Sequence, residues 1–185
     1  MVASLAVGCG NKGGDSKSDS SKSSSSDEIT IGFSQVGAES DWRTANSTSM
    51  KETFSEENGY TLIFDDAQQK QENQITAIRN FIQQEVDYIL LAPVTETGWD
   101  TVLQEAKDAD IPVIIVDRMI DVSDDSLYTT WIGTDALCEG RKAAEWLNGF
   151  AEAKGIAASD IHIADIQGTI GSTAQIGRTK GLEEG

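Results

Sequence analysis

A short loop near residue 40 carries side chains that could bind a neutral polyhydroxy compound. It offers two carboxylates, a hydroxyl, an indole and a guanidinium: Glu39, Ser40, Asp41, Trp42 and Arg43. An indole face can pack on the C–H face of a sugar ring, while carboxylates accept and arginine donates hydrogen bonds at its hydroxyl rim. The loop lacks the glycine patterns of dinucleotide and phosphate sites. These residue types therefore favour a carbohydrate. The residues alone also allow Trp42 to be a core residue with Glu39 and Arg43 solvated.

A second candidate pair, Asp117 and Arg118, directly follows the apolar run 113–116. A carboxylate and a guanidinium side by side can serve as acceptor and donor for adjacent hydroxyls. The alternative is that Arg118 only pairs with Asp117 or Asp121 on the surface. A shared position with Trp42 at one edge of a sheet would favour the binding interpretation.

Strand and helix patterns alternate from residue 29 onwards, which predicts an α/β fold. Such repeated units imply a parallel sheet with helices on both faces, whose strands all end at one edge. We therefore expect the loop near residue 40 and the pair Asp117–Arg118 to lie at the same edge. The predicted strands are 29–33, 61–64, 88–91, 113–116, 128–133 and 161–166, and the predicted helices begin near Trp42 and cover 71–84, 96–109 and 134–150.

The order of segments predicts an exported protein with a tethered domain. Residues 1–9 are short and apolar like the end of a signal peptide, and they end in a sequence that resembles a bacterial lipobox, with Cys9 as the lipidated residue. Residues 10–27 are rich in Gly, Ser, Lys and Asp and are predicted to be a disordered linker. Residues 28–133 are predicted to form a nearly complete first α/β lobe. Residues 134–185 are expected to begin a second lobe that is incomplete.

Composition and motifs exclude several classes of function. The chain has 31 Asp and Glu against 14 Lys and Arg, a net charge of −17, which argues against a nucleic-acid partner. The two cysteines, Cys9 and Cys138, do not suggest a disulfide framework, and no Cys/His spacing suggests a metal. No nucleophile elbow, phosphate loop or defensible acid–base pair is present. We therefore predict neither an enzyme nor a bound cofactor.

Several segments in register resemble the ribose/galactose-type periplasmic binding proteins, in particular their galactofuranose-binding members. They are residues 32–43, 66–74, 93–100, 117–118 and 167–169, followed by Arg178. The resemblance extends from residue 29 to the end of the chain. It implies the type I fold, in which two α/β lobes close on a sugar around a hinge. It also implies a set of ligand residues: Glu39, Ser40, Asp41, Trp42 and Arg43 in the first loop, Asp117 and Arg118, and Arg178 from the second lobe. Asp41 differs from the glycine that the family usually has at this position.

The resemblance implies a role in sugar uptake. The protein would be a substrate-binding lipoprotein on the extracellular face of the cell membrane, or in the periplasm of a bacterium with two membranes. It would bind galactofuranose or a related monosaccharide and deliver it to the permease of an ABC importer. The alternative that remains open is a sensing module that feeds a membrane kinase or chemoreceptor. A repressor effector domain would need a basic DNA-binding segment, which residues 10–27 cannot supply.

Overall fold

The computed structural model describes residues 28–185 and shows a five-stranded parallel sheet with the strand order β2-β1-β3-β4-β5. The strands are β1 (Ile29–Gln35), β2 (Tyr60–Asp66), β3 (Tyr88–Leu91), β4 (Val113–Asp117) and β5 (Thr130–Gly133). The helices are α1 (Asp41–Thr53), α2 (Gln71–Gln83), α3 (Asp100–Asp108), α4 (Ala136–Lys154) and α5 (Thr173–Glu184). The predicted α/β fold with a parallel sheet is confirmed. The predicted lipobox, Cys9 and linker lie outside the described residues.

Helices cover both faces of the sheet, as predicted. One face packs against α2 and α3 through a cluster that includes Phe81 and Trp99. The other face forms a smaller cluster around Phe33, against which Met50 and Phe54 of α1 are packed. The central strand β3 contributes to both clusters, because successive side chains of a strand point to opposite faces. Its continuous apolar sequence follows from this burial on both sides.

Helices α4 and α5 follow the sheet and pack closely on each other. Their contact is made by glycines: a Cβ on Gly140 would lie 2.9 Å from the Cα of Gly181. Ala144 is buried in the same contact. On the other side of α4, Trp146 and Phe150 are exposed and stacked, with their ring centroids 5.3 Å apart. Among the helices of residues 28–185, none combines the length and apolar character needed to cross a bilayer.

The prediction of a strand over residues 161–166 is wrong. This segment has no regular structure, and Ile163 and Ile166 are 57% and 96% exposed. Isoleucine has a high β-propensity and stands at the alternate positions 161 and 163, but a strand also needs a neighbour to take up its backbone hydrogen bonds. No strand of the described chain lies beside this segment. Elsewhere the differences are small: α3 begins at Asp100 and β5 at Thr130.

We predict that Trp99→Ala strongly destabilises the fold. Trp99 is fully buried between α3 and the sheet, and its indole N–H donates to the carbonyl of Thr95 at 2.9 Å. Removing a buried aromatic side chain costs about 3–5 kcal/mol. Urea unfolding followed by circular dichroism would measure the loss. Trp146→Ala is the matched control, since Trp146 is 67% exposed and its loss should cost less than about 1 kcal/mol. Equal losses would contradict the packing described here.

Candidate functional site

Two arginines and two carboxylates alternate at the carboxyl edge of the sheet. Arg43 donates from Nε to Glu39 Oε1 at 3.2 Å and from Nη2 to Asp117 Oδ2 at 2.7 Å. The Arg118 guanidinium approaches the same two oxygens, Glu39 Oε1 at 3.7 Å and Asp117 Oδ2 at 3.9 Å. The four side chains therefore close a ring of alternating charge with no net charge. The ring uses only one oxygen of each carboxylate, so Glu39 Oε2 and Asp117 Oδ1 take no part in it.

The start of α1 determines which of its side chains is buried. Ser40 caps the helix, and its hydroxyl accepts a hydrogen bond from the backbone N–H of Arg43 at 3.2 Å. Successive residues of a helix point about 100° apart, so Arg43 turns inward and Trp42 outward. The Arg43 side chain is 3% exposed, whereas Trp42 is 57% exposed. The alternative of a core Trp42 beside a solvated Arg43 is therefore wrong.

One nitrogen of the Arg43 guanidinium makes no hydrogen bond. Its Nη1 atom is buried and has no hydrogen-bond partner among the described residues. A buried donor without a partner costs about 1–3 kcal/mol. Its guanidinium carbon also lies 4.9 Å from the centroid of the Trp42 ring, so donor and aromatic surface are adjacent. The ring therefore has both a free donor and a flat apolar surface beside it.

Arg118 connects this ring to the segment that precedes α5. Its Nη2 donates to Thr169 Oγ1 and its Nη1 to the carbonyl of Val94, both at 3.4 Å. Burial lowers the pKa of Arg118 from its ordinary value, and the nearby charge of Arg43 lowers it further. The group nevertheless stays cationic, because arginine keeps its proton in proteins.

A cavity of about 140 Å³ lies between Arg118 and the N-terminal part of α5. Arg178 lines it together with Thr169 and Gln175. The guanidinium of Arg178 itself pairs with Glu139 of α4, its Nε lying 2.8 Å from Oε2. The cavity is larger than the space that one water molecule needs. It is the space into which both arginines can donate.

The structure brings most of the predicted site residues together. Glu39, Arg43, Asp117 and Arg118 form the ring, and Trp42 flanks it. The remaining three predicted residues stand apart from the ring: Ser40 caps α1, Asp41 is exposed at its first turn, and Arg178 reaches only the cavity of Arg118. Sequence reasoning missed Thr169 as a partner of Arg118, although it lies in the segment 167–169. Residues 28–185 contain no group of three or more His, Cys, Asp or Glu arranged to hold a metal.

A second polar pair lies on the face of the sheet that α2 covers. Ser34 and Asp65 are register partners on β1 and β2, and the atoms Ser34 Oγ and Asp65 Oδ1 are both buried without a partner among the described residues. Burial raises the pKa of Asp65, and the charge of Asp66 raises it further. This pair cannot be read from the sequence, because its members are far apart in the chain and meet only through strand pairing.

The model of the periplasmic binding protein domain family matches residues 31–185 of this sequence. The chain belongs to this family. The galactofuranose-binding protein YtfQ of Escherichia coli K12 is 47% identical over 156 residues, which make up 84% of this chain and 47% of that protein. The resemblance inferred from the sequence motifs is thus confirmed.

Two solved structures resemble this chain closely. A Mycobacterium smegmatis protein in complex with β-D-fucofuranose has a TM-score of 0.78 and 50% identity, with coverage of 85% of this chain and 50% of that one. The binding protein of the arabinose ABC transporter from Shewanella sp. ANA-3, bound to α- and β-L-arabinofuranose, has a TM-score of 0.75 and 52% identity, with coverage of 84% and 49%. The chain spans about half the length of each of these relatives.

We predict that Arg43→Lys costs more stability than the same change at an exposed arginine. A lysine offers one point charge and cannot keep both carboxylate contacts of the buried guanidinium. Arg79, whose side chain is 49% exposed, makes a comparable two-point contact with Glu105 and is the matched control. Urea unfolding should show a loss above about 1 kcal/mol for Arg43→Lys and a clearly smaller loss for Arg79→Lys, because exposed ion pairs contribute little. If Arg43→Lys lost no more stability than Arg79→Lys, the ring would not stabilise the fold.

We predict that Asp65→Asn raises stability at neutral pH. Folding raises the pKa of this carboxyl, which means that the folded state binds its proton more tightly than the unfolded chain does. Above that pKa the ionised carboxylate therefore lowers the free energy of unfolding. The cost disappears as the pH falls below the pKa of the unfolded chain, about 3.9.

Urea unfolding at pH 7, 5.5 and 4 tests this prediction. The gain of Asp65→Asn over the unmodified chain should be largest at pH 7 and shrink towards pH 4. The exposed Asp108 supplies the control variant Asp108→Asn, which makes the same change on the surface of α3. A variant that is less stable than the unmodified chain at pH 7 would refute the proposed burial cost.

Proposed function

We propose that this chain binds a monosaccharide and is the sugar-binding part of an extracytoplasmic protein that serves an ABC importer. The observation that carries this proposal is the ring of Glu39, Arg43, Asp117 and Arg118 beside an exposed indole. A phosphate or carboxylate ligand would need an excess of positive charge, because a buried charge must be paired. In this ring the charges already cancel, whereas free donors and acceptors remain. That combination suits a neutral molecule with several hydroxyl groups.

The relatives support a furanose sugar. Two of them were solved with fucofuranose and arabinofuranose bound, and a third is named for galactofuranose. We therefore propose galactofuranose or a related monosaccharide as the ligand. All of these sugars present hydroxyls at the edge of a small ring and a C–H face to one side, which matches an edge of alternating charge and a flat indole.

Each part of the site has a proposed task. Trp42 would pack on the C–H face of the sugar. The free oxygens of Glu39 and Asp117 would accept hydrogen bonds from its hydroxyls, and the guanidinium of Arg43 would hold these two carboxylates in place. Arg118 and Arg178 would donate from the two sides of their shared cavity. Ser40 and Asp41 would act at the start of α1, Ser40 by holding the helix and Asp41 by adding a charge beside the ligand. Hydrogen bonds to charged groups contribute about 1.5–3 kcal/mol each and would set the selectivity among sugars.

The proposed partner is the permease of the importer, which would recognise the form that has closed around the sugar. A lipid at Cys9 would keep the protein at the membrane, and residues 10–27 would act as its tether. Both features follow from the sequence analysis alone. The proposed location is the extracellular face of the cell membrane, or the periplasm in a bacterium with two membranes.

We predict that Trp42→Ala and Arg118→Ala each weaken sugar binding at least about tenfold, since each removes about 1.5 kcal/mol or more of contact energy. Isothermal titration calorimetry with D-galactose, L-arabinose and D-fructose would measure the affinities, and D-glucuronate would test the exclusion of anions. Trp146→Ala and Arg79→Ala are the controls, because both side chains are exposed and their contacts are with Phe150 and Glu105, which lie outside the ring. If both site variants kept the affinity of the unmodified chain, the proposed site would be wrong.

A further inference from the structure

Asp117 has a backbone conformation that non-glycine residues rarely adopt. Its φ is +66°, and the N–H of Arg118 donates to the carbonyl of Val116 at 2.9 Å across it. This is a γ-turn of the rare, strained hand. Such strain persists only where the surroundings hold it, and it is concentrated at functional sites. In this structure the strained residue is the one whose carboxylate contacts both arginines of the ring.

A side chain of the neighbouring strand β5 binds the carbonyl oxygen of Asp117 in this turn. The indole Nε1–H of Trp131 donates to the carbonyl of Asp117 at 3.3 Å. Asp117 and Gly133 are register partners of β4 and β5. A Cβ on Gly133 would overlap both the Asp117 carbonyl oxygen and the Trp131 indole nitrogen. The absence of a side chain at Gly133 therefore lets the indole reach the carbonyl.

We infer that Trp131 and Gly133 are positioning residues of the sugar site. They hold the carbonyl of Asp117 in place. The strained backbone at Asp117 then directs the carboxylate of this residue towards Arg43 and Arg118. Neither residue belongs to the charge ring, although Trp131 lines a cavity with Asp117 and Arg118. We expect their effect on the ligand to pass through Asp117. This inference rests on the proposed function for its consequence in binding, whereas the positioning itself can be measured without a ligand.

Trp131→Phe separates this role from ordinary packing. The indole of Trp131 also packs against the core formed by α2, α3 and the sheet, so a general loss of stability must be distinguished from a loss of position. Phenylalanine keeps an aromatic ring in that core but removes the N–H donor. Trp146→Phe is the matched control, because the same change is made at an exposed indole.

The first test measures binding of D-galactose and L-arabinose by calorimetry on the full chain. Trp131→Phe should weaken binding about 3- to 10-fold, the effect of one lost hydrogen bond, and Trp146→Phe should not. In a background of Asp117→Asn, which keeps the shape of the side chain but removes its charge, Trp131→Phe should have little further effect. An equal loss in both backgrounds would overturn the inference, because the indole would then act independently of Asp117.

The second test is independent of any sugar. The NMR chemical shifts of the Asp117 Cα and Cβ report its φ, and they should move towards ordinary values in Trp131→Phe while staying unchanged in Trp146→Phe. If the unmodified chain binds neither sugar, the proposed function fails and these shifts alone decide the positioning role. Unchanged Asp117 shifts in Trp131→Phe would overturn that role.

A glycine pair provides a further comparison. Gly133→Ala should displace the Asp117 carbonyl and weaken sugar binding more than Trp131→Phe does. Gly149→Ala, at a helical position with no atom within 4 Å of the added Cβ, should leave binding unchanged. Equal affinities for the two alanine variants would contradict the close contact between β4 and β5.

Discussion

The buried guanidinium of Arg43 is the constraint on which the site depends. A charge in this position is tolerated only when it is paired, and its two partners come from different parts of the chain: Glu39 from the loop after β1 and Asp117 from the end of β4. The pairing therefore links α1, which follows β1, to β4, which is separated from β1 by β3 in the sheet. Once that link is made, Arg118 follows directly in the chain and closes the ring. The edge of the sheet then presents opposite charges in alternation, with the indole of Trp42 outside them.

Sequence patterns were sufficient for the parts of the fold that are determined locally. The apolar runs of β3 and β4 and the amphipathic helices between them predict a parallel sheet, and a parallel sheet places the ends of its strands along one edge. The shared edge alone places residue 43 and residue 117 in the same region. Residues 161–166 were mispredicted, because their alternating pattern says nothing about whether a partner strand lies beside them. Strand formation is a property of pairs, and only the hydrogen-bonded neighbour decides it.

The chemistry of the site was predictable by residue type but not by arrangement. Sequence reasoning identified the acceptors, donors and indole, yet it could not decide whether Trp42 or Arg43 faces inward. That choice is made by the phase of α1, which the cap at Ser40 sets by one hydrogen bond. The strained turn at Asp117 was equally invisible, since aspartate follows many strands in an ordinary conformation. Its cause lies in β5, where a glycine and an indole nitrogen meet the carbonyl of another strand.

The cancellation of charge within the ring also bears on how fast a ligand can arrive. The chain as a whole carries a net charge of −17, but a neutral molecule is not steered by that field, and the ring presents no monopole of its own. Encounter is then governed by diffusion and by the shape of the opening. Dissolved ions act on association mainly by screening long-range fields. The association rate of a neutral ligand would therefore be nearly the same at low and at high ionic strength. The proposed capture of a sugar would thus depend little on the ionic strength of the surrounding medium.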